Sequence, residues 1–285
     1  MPAMFTTLVA PATLAAHLDD SAWVIVDCRF DLANPDAGEA RYAAGHIPGA
    51  RYAHLDRDLS GAKTGVNGRH PLPSPEQAAA RFGALGIGPG CQVIAYDADM
   101  SMYAARLWWM LRWLGHDAVA VLDGGLARWA ADGYPLRGGR ESWTPATFRP
   151  APRRDWCVSA RDVAAGLGAG GPLLVDARAS DRFRGENETI DPVAGHIPGA
   201  RNYFYQQNLD PQQRFRSPEA LRAAWTAVLA GRDPRESVMY CGSGVTACHN
   251  LLALEVAGLP GARLFAGSWS EWSQDPARPI ATGDE

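Results

Sequence analysis

The eight residues AGHIPGAR occupy positions 44–51 and recur unchanged 150 residues later, at 194–201. Identity over that length marks an internal duplication, because the order of the surrounding features repeats with it. WVIVDCR (23–29) is matched by LLVDAR (173–178), SPEQAAARF (74–82) by SPEALRAAW (217–225), and GGLARW (124–129) by GSWSEW (267–272). The chain must therefore fold as two units of one architecture. At 285 residues, 47% of them hydrophobic, it can supply two cores. We place the first unit at 1–137, an Arg- and Pro-rich linker at 138–154, and the second unit at 155–285.

Within each unit, short β-rich runs alternate with helical ones. VIVDC, QVIAYD and AVAVL read as strands, and AARLWWMLRWL and LARWAA as helices. The second unit answers with strand ESVMYC, helix VTACHNLLALEVAG and strand ARLF. This alternation predicts an α/β fold, a mainly parallel sheet in each unit with helices on both faces.

The copies part company at one strand end. The first unit has YDADMSMYAAR where the second has YCGSGVTACHN, so Cys241 takes the place of Asp97 and the glycines appear only in the second copy. In a parallel α/β unit, ligands collect where a central strand ends and a helix begins. The unpaired N–H groups of the first helical turn favour negative charge there. Gly242 and Gly244 would let loop amides converge on the Cys241 sulfur, a setting that favours thiolate over thiol. One copy is expected to be active and the other not. Cys248, one turn along the following helix, reads as a packed core cysteine. His46 and His196 in the repeated motif read as structural, since one of them belongs to the copy without a nucleophile.

A net charge of −4 gives no basic footprint for nucleic acid or an anionic membrane. The N-terminus lacks the basic residues of a secretory signal, and charges, Gly or Pro interrupt every apolar run, so a soluble, cytoplasmic protein is expected. Five scattered cysteines (28, 91, 157, 241 and 248), with no CxxC pair, argue against a disulfide framework and against structural zinc.

With these motifs in both halves, the chain resembles the tandem-domain rhodanese-type sulfurtransferases, and CGSGVTA (241–247) is similar to the loop of their 3-mercaptopyruvate branch. The thiosulfate branch carries cationic residues where Gly242 and Ser243 stand. The resemblance implies two packed rhodanese domains, the active site at their interface on the second domain's loop, and no metal or organic cofactor. It implies that Cys241 takes a sulfur from a small donor as a persulfide and passes it to cyanide, a small thiol or thioredoxin, within the loop formed by Gly242, Gly244, Val245 and Thr246. Ser243, His70 and Asp56 match a Ser/His/Asp relay, and Arg182 matches the arginine for the donor carboxylate. The 3-mercaptopyruvate branch has a second arginine nine positions later. Here that position is Asp191, as in the thiosulfate branch, which leaves Arg184 or Arg178 to supply the charge. Trp269 and Trp272 read as packing residues, and Ala266 replaces a frequent Asp. A monomer is expected. The rivals are thiosulfate as donor, a non-catalytic persulfide carrier or redox sensor, and a rhodanese-fold phosphatase, whose required arginine is replaced by Ala247.

Overall fold

The structure, a computed structural model, describes residues 4–284. Met1–Ala3, the start of the segment read above for a secretory signal, and Glu285 lie outside the described residues. The chain divides into two compact units. One comprises residues up to Gly61 with Pro73–Arg153 and Pro211–Phe215, and the other Ala62–Leu72 with Arg154–Asp210 and the chain from Arg216 onward. Each sequence repeat thus contributes a short segment to the unit built mainly from the other.

The first unit runs β1 (Leu8–Val9), α1 (Pro11–Ala15), β2 (Trp23–Asp27), α2 (Ala37–Ala44), β3 (Arg51–Tyr52), α3 (Pro75–Ala84), β4 (Gln92–Tyr96), α4 (Met102–Trp113), β5 (Val119–Leu122) and α5 (Gly125–Ala131). The second runs β6 (Cys157–Val158), α6 (Ala160–Ala165), β7 (Leu173–Asp176), α7 (Ser180–Arg184), β8 (Arg201–Asn202), α8 (Pro218–Leu229), β9 (Ser237–Tyr240), α9 (Thr246–Val256), β10 (Arg263–Phe265) and α10 (Ser268–Trp272). The pairings among these strands are parallel, in the orders β1-β5-β4-β2-β3 and β6-β10-β9-β7-β8. The expected pair of parallel α/β units is therefore the observed one. The central strands β4 and β9 are buried along their whole length, as continuous apolar runs in parallel sheets are.

The repeated motifs have local physical causes. Both SPE segments open a helix: Ser74 and Ser217 cap α3 and α8 through their side chains, and the following proline takes the first helical position, where its missing N–H costs nothing. In each unit an arginine two residues after a buried aspartate pins the GHIPGA turn. Arg29 reaches Asp27 at 2.6 Å and Gly45 O at 2.7 Å; Arg178 reaches Asp176 at 2.7 Å and Gly195 O at 2.7 Å. The motif histidines are buried, with Nδ1 at 2.8 Å from Tyr42 O for His46 and from Phe183 O for His196. Trp269 and Trp272 are fully buried in the second core, their indole N–H groups donating to Val193 O and Pro279 O.

Asp97 follows β4 as Cys241 follows β9, the two strands standing third in their sheets. Its carboxylate accepts the backbone N–H groups of Ser101 (2.9 Å), Tyr103 (2.8 Å) and Ala104 (3.2 Å), so the loop of the first unit carries its own anion. Burial nonetheless pushes the Asp97 carboxyl up to about 6, against 3.8 for an ordinary aspartate. The folded chain then holds a proton that the unfolded chain has released, so this group's contribution to stability falls as pH rises from about 4 to about 6. Asp97→Asn removes that dependence. Relative to the parent, the variant is expected to gain up to roughly 3 kcal/mol between pH 4 and pH 7 in denaturant unfolding. A pH-independent difference would show that the three amide contacts hold Asp97 ionised throughout.

Candidate active site

Cys241 directly follows β9 and is 2% exposed. Its sulfur accepts the backbone N–H of Gly244 at 3.1 Å, and its own N–H donates to Ser268 Oγ at 3.1 Å. The two glycines serve different purposes. Gly244 has φ +75°, and a Cβ there would stand 2.3 Å from Ala266 O, so both the conformation and the space require glycine. A Cβ on Gly242 would stand 2.9 Å from Arg69 Nη2 and 3.7 Å from Arg182 Nη2. Gly242 keeps room beside two guanidinium groups. Val245 is buried at the N-cap of α9, and Thr246, half-buried, opens that helix.

The loop is held from below by the 266–270 segment. Trp269 N–H donates to Cys241 O and Ser270 N–H to Gly242 O, each at 2.9 Å. Ser268 adopts φ +54°, a conformation that is strained for any residue bearing a Cβ. Its hydroxyl, which caps the Cys241 amide and donates to Phe265 O at 2.9 Å, fixes it there. The equivalent residue of the first unit is Gly125 at φ +57°. Cys248 is fully buried and lies 3.3 Å from Gly244 O, beneath the loop.

Segment 62–72 completes the second unit's site. Gly68, at φ +85°, approaches so closely that a Cβ would stand 2.8 Å from Gly267 O, and Arg69 N–H donates to Ser270 Oγ at 2.9 Å. This docking places His70 Nδ1 2.7 Å from Ser243 Oγ, with both residues buried. The expected serine and histidine thus meet beside the cysteine loop. Asp56 belongs to the first unit, in the turn after β3, where its N–H donates to His54 Nδ1 at 3.1 Å.

The arginines sort by partner. Arg178 is buried between Asp176 and Glu188 (3.2 Å), its guanidinium 4.9 Å over the Trp269 ring, and is occupied in holding the fold. Arg184 pairs with the exposed Glu186 at 2.8 Å. Arg182 is gripped by Glu188 at 2.8 Å and touches Asp191 at 3.2 Å. Asp191 also takes Arg69 Nη1 at 2.5 Å. Its carboxylate therefore lies between two guanidinium groups near Gly242. Burial raises and Arg182 lowers the Glu188 carboxyl, which ends below the ordinary glutamate range. Arg69, Glu188, Ser268 and Ser270 were not singled out in the sequence. The one visible signal is that GSWSEW, which holds both serines, answers GGLARW of the first copy.

This arrangement of two parallel sheets with a loop cysteine at the end of the third strand defines the class, and the chain belongs to the rhodanese family: the Rhodanese-like domain matches residues 10–132 and 159–275. Over 279 residues, 97% of this chain and 98% of the other, it is 50% identical to the "Probable 3-mercaptopyruvate sulfurtransferase" of Pseudomonas aeruginosa. It is 34% identical over 248 residues to the thiosulfate sulfurtransferase of Bos taurus, covering 84% of this chain and 82% of that one. The solved 3-mercaptopyruvate sulfurtransferase from Leishmania major matches with a TM-score of 0.83 and 33% identity, over 94% of this chain and 74% of that one.

Proposed function

We propose that the protein is a sulfurtransferase that takes the sulfur of 3-mercaptopyruvate onto Cys241 and hands it to cyanide or a thiol. The observation that carries this reading is the contact of Ser243 Oγ with His70 Nδ1 at 2.7 Å, beside a cysteine sulfur that already accepts a loop amide. In the first half-reaction the Cys241 thiolate attacks the donor sulfur and the sulfur–carbon bond breaks. The electron pair passes to the methylene carbon as the enolate of pyruvate, and the donor's hydrogen stays on the new persulfide. Ser243 delivers a proton to that carbon and His70 resupplies Ser243. In the second half-reaction cyanide attacks the outer persulfide sulfur. The S–S bond breaks, thiocyanate leaves, and the pair returns to Cys241 as thiolate, with the persulfide proton going to solvent. Covalent transfer of this kind uses two simpler steps in place of one and calls on no cofactor.

The loop of residues 242–246 frames the persulfide, and Arg182 is the proposed partner of the donor carboxylate. Asp56 remains the proposed carboxylate member of the relay on the family resemblance alone. The first unit, with Asp97 in place of a cysteine, is proposed to be catalytically inactive, and the linker is proposed at 138–154 between units at 1–137 and 155–285. Among the described residues no helix is long and apolar enough to cross a membrane. We place the protein in the cytoplasm as a monomer, with thiols or thioredoxin as physiological acceptors.

One observation favours a second donor. Asp191 sits where the 3-mercaptopyruvate branch has arginine, as in the thiosulfate branch, and it contacts Arg182. With thiosulfate the same cysteine would break the S–S bond and release sulfite. The test is kcat/KM for thiocyanate production with each donor on the purified protein. A clear preference for 3-mercaptopyruvate is expected. Turnover of thiosulfate alone would overturn the donor assignment, and labelling of one sulfur equivalent without turnover of either would favour a persulfide carrier.

A further inference from the structure

We propose that the second unit carries a further ligand site at the amino ends of its strands, one that takes a small organic acid. The carboxylate head is bound by Arg263 and Arg232, and the apolar body lies against Trp156 and Pro172. Cys241 directly follows the last residue of β9, Tyr240, whereas this site lies beside Glu236, which precedes the first, Ser237. The site is separate from the cysteine loop and does not depend on which donor that loop uses.

Three walls bound a cavity of about 720 Å³. Trp156 and Cys157, where the chain enters the edge strand β6, form the first. The second is the glycine-rich turn 166–171. Gly170 stands at φ +87°, and a Cβ on Gly171 would overlap Gly166 O, so the tightness of the turn requires glycine. Arg232 clamps that turn, its Nη1 donating to Gly171 O at 2.6 Å. The third wall is segment 234–236, where the Arg235 stem passes so near Gly261 that a Cβ there would stand 2.6 Å from Cγ. Each wall is fixed by contacts of its own, so the space is formed before any ligand arrives.

Arg263 belongs to the floor, and strand register sets it apart. Val238, three residues before Cys241, pairs with Arg263, whereas Ile94, three residues before Asp97, pairs with Ala120. The architecture thus accepts a buried alanine at this place. In the second unit an arginine stands there instead, its Nε buried with no hydrogen-bond partner among the described residues. A buried donor left unpaired is costly, and it calls for an acceptor.

The lining carboxylates do not supply one. Asp162 Oδ2 accepts the Ser159 N–H at 2.9 Å and the Ser159 hydroxyl at 2.7 Å, as part of the cap of α6, and it acts on Arg263 only through space. Glu236 Oε2 accepts the Asp233 N–H at 3.2 Å, and Asp233 in turn holds Arg235 at 2.6 Å. Arg235 is thereby taken, and Arg232 and Arg263 are left with N–H groups to spare. The formal charge of the lining is zero, with Arg232, Arg235 and Arg263 set against Asp155, Asp162 and Glu236. No excess charge draws a polyanion. A single carboxylate meeting two uncommitted guanidinium groups fits, and the Trp156 ring, Val158 and Pro172 offer apolar surface to the rest of the molecule.

Benzoate is the probe, titrated into the full chain and followed by calorimetry. Saturable binding with a Kd on the order of 1 mM is expected for an acid of this size. Arg263→Met keeps an unbranched stem and removes the donors, and should weaken binding at least about tenfold. Arg232→Met, at the rim, should weaken it roughly three- to tenfold. Arg182→Met, beside the cysteine loop, should leave the affinity unchanged. Benzyl alcohol, the neutral counterpart, should not bind measurably. The thermal unfolding midpoint of each variant is measured alongside; should Arg263→Met prove unfolded, Arg263→Ala, the residue type of the first unit, takes its place with the same expected loss. Absence of saturable benzoate binding to the parent would overturn the proposal. So would binding that Arg182→Met abolishes and the folded Arg263 variant preserves, which puts the acid at the cysteine loop. Equal affinity for benzyl alcohol would also overturn it, because no anion is then recognised.

Discussion

Replacing Cys241 by serine is expected to abolish thiocyanate formation from either donor, a loss of at least about a thousandfold, at the scale seen when a covalent nucleophile is removed. Every other part of the loop would stay in place. Gly244 N–H would face a hydroxyl in place of a sulfur, and the Ser268 cap and the two backbone bonds from Trp269 and Ser270 do not involve the side chain. A hydroxyl cannot store a sulfane sulfur, so catalysis has no intermediate. Cys248→Ser is the control. That thiol is fully buried and faces Gly244 O at 3.3 Å, a contact that a hydroxyl can also make. Most activity should survive. Mass spectrometry after donor treatment should find one added sulfur in the parent and in Cys248→Ser, and none in Cys241→Ser. Equal loss of activity in both variants would mean that the two cysteines act together.

His70→Ala should separate the donors. With 3-mercaptopyruvate the departing group is an enolate that needs a proton on carbon, and we assign that delivery to Ser243 backed by His70. Losing the backing should lower kcat by about 100-fold or more, the range of general acid–base contributions. With thiosulfate the leaving sulfite departs as a stable anion and needs no proton on carbon, so kcat should change little. Ser243→Ala should behave in the same way. The contrast between donors is the diagnostic feature, because a collapse of the 62–72 segment would damage both reactions alike. Identical losses with the two donors would remove His70 from proton transfer.

The sequence exposes what is local. Ser-Pro at two helix starts, the alternation of strand and helix, and a cysteine ringed by glycines before a helix each carry their own physical cause within a few residues. Gly244 illustrates this: its φ of +75° is the conformation its residue type advertises. Gly242 illustrates the limit, because its reason lies with Arg69, a residue 173 positions away, and not with its own backbone. Asp191 was legible only as a departure from an expected arginine. That a cation stands opposite it depends on where segment 62–72 docks, and no periodicity or spacing in that segment encodes the destination. The candidates Arg178 and Arg184 were reasonable by proximity in sequence, yet one is consumed by Asp176 and the other by Glu186. Ser268 escaped notice because a strained serine looks like any serine until its hydroxyl is seen on the Cys241 amide.

The division of the chain into Ala62–Leu72 with the second unit and Pro211–Phe215 with the first has a consequence for the history of this architecture. Shifted by the repeat distance, residues 62–65 fall on 212–215, so the traded pieces begin at equivalent places in the two copies. The trade resembles a domain swap enacted within a single polypeptide. A gene fragment cut at the repeat boundary would encode Cys241 and Ser243 without Arg69 or His70. Once such an exchange is in place, neither unit is complete without the stretch that the other repeat has lent it.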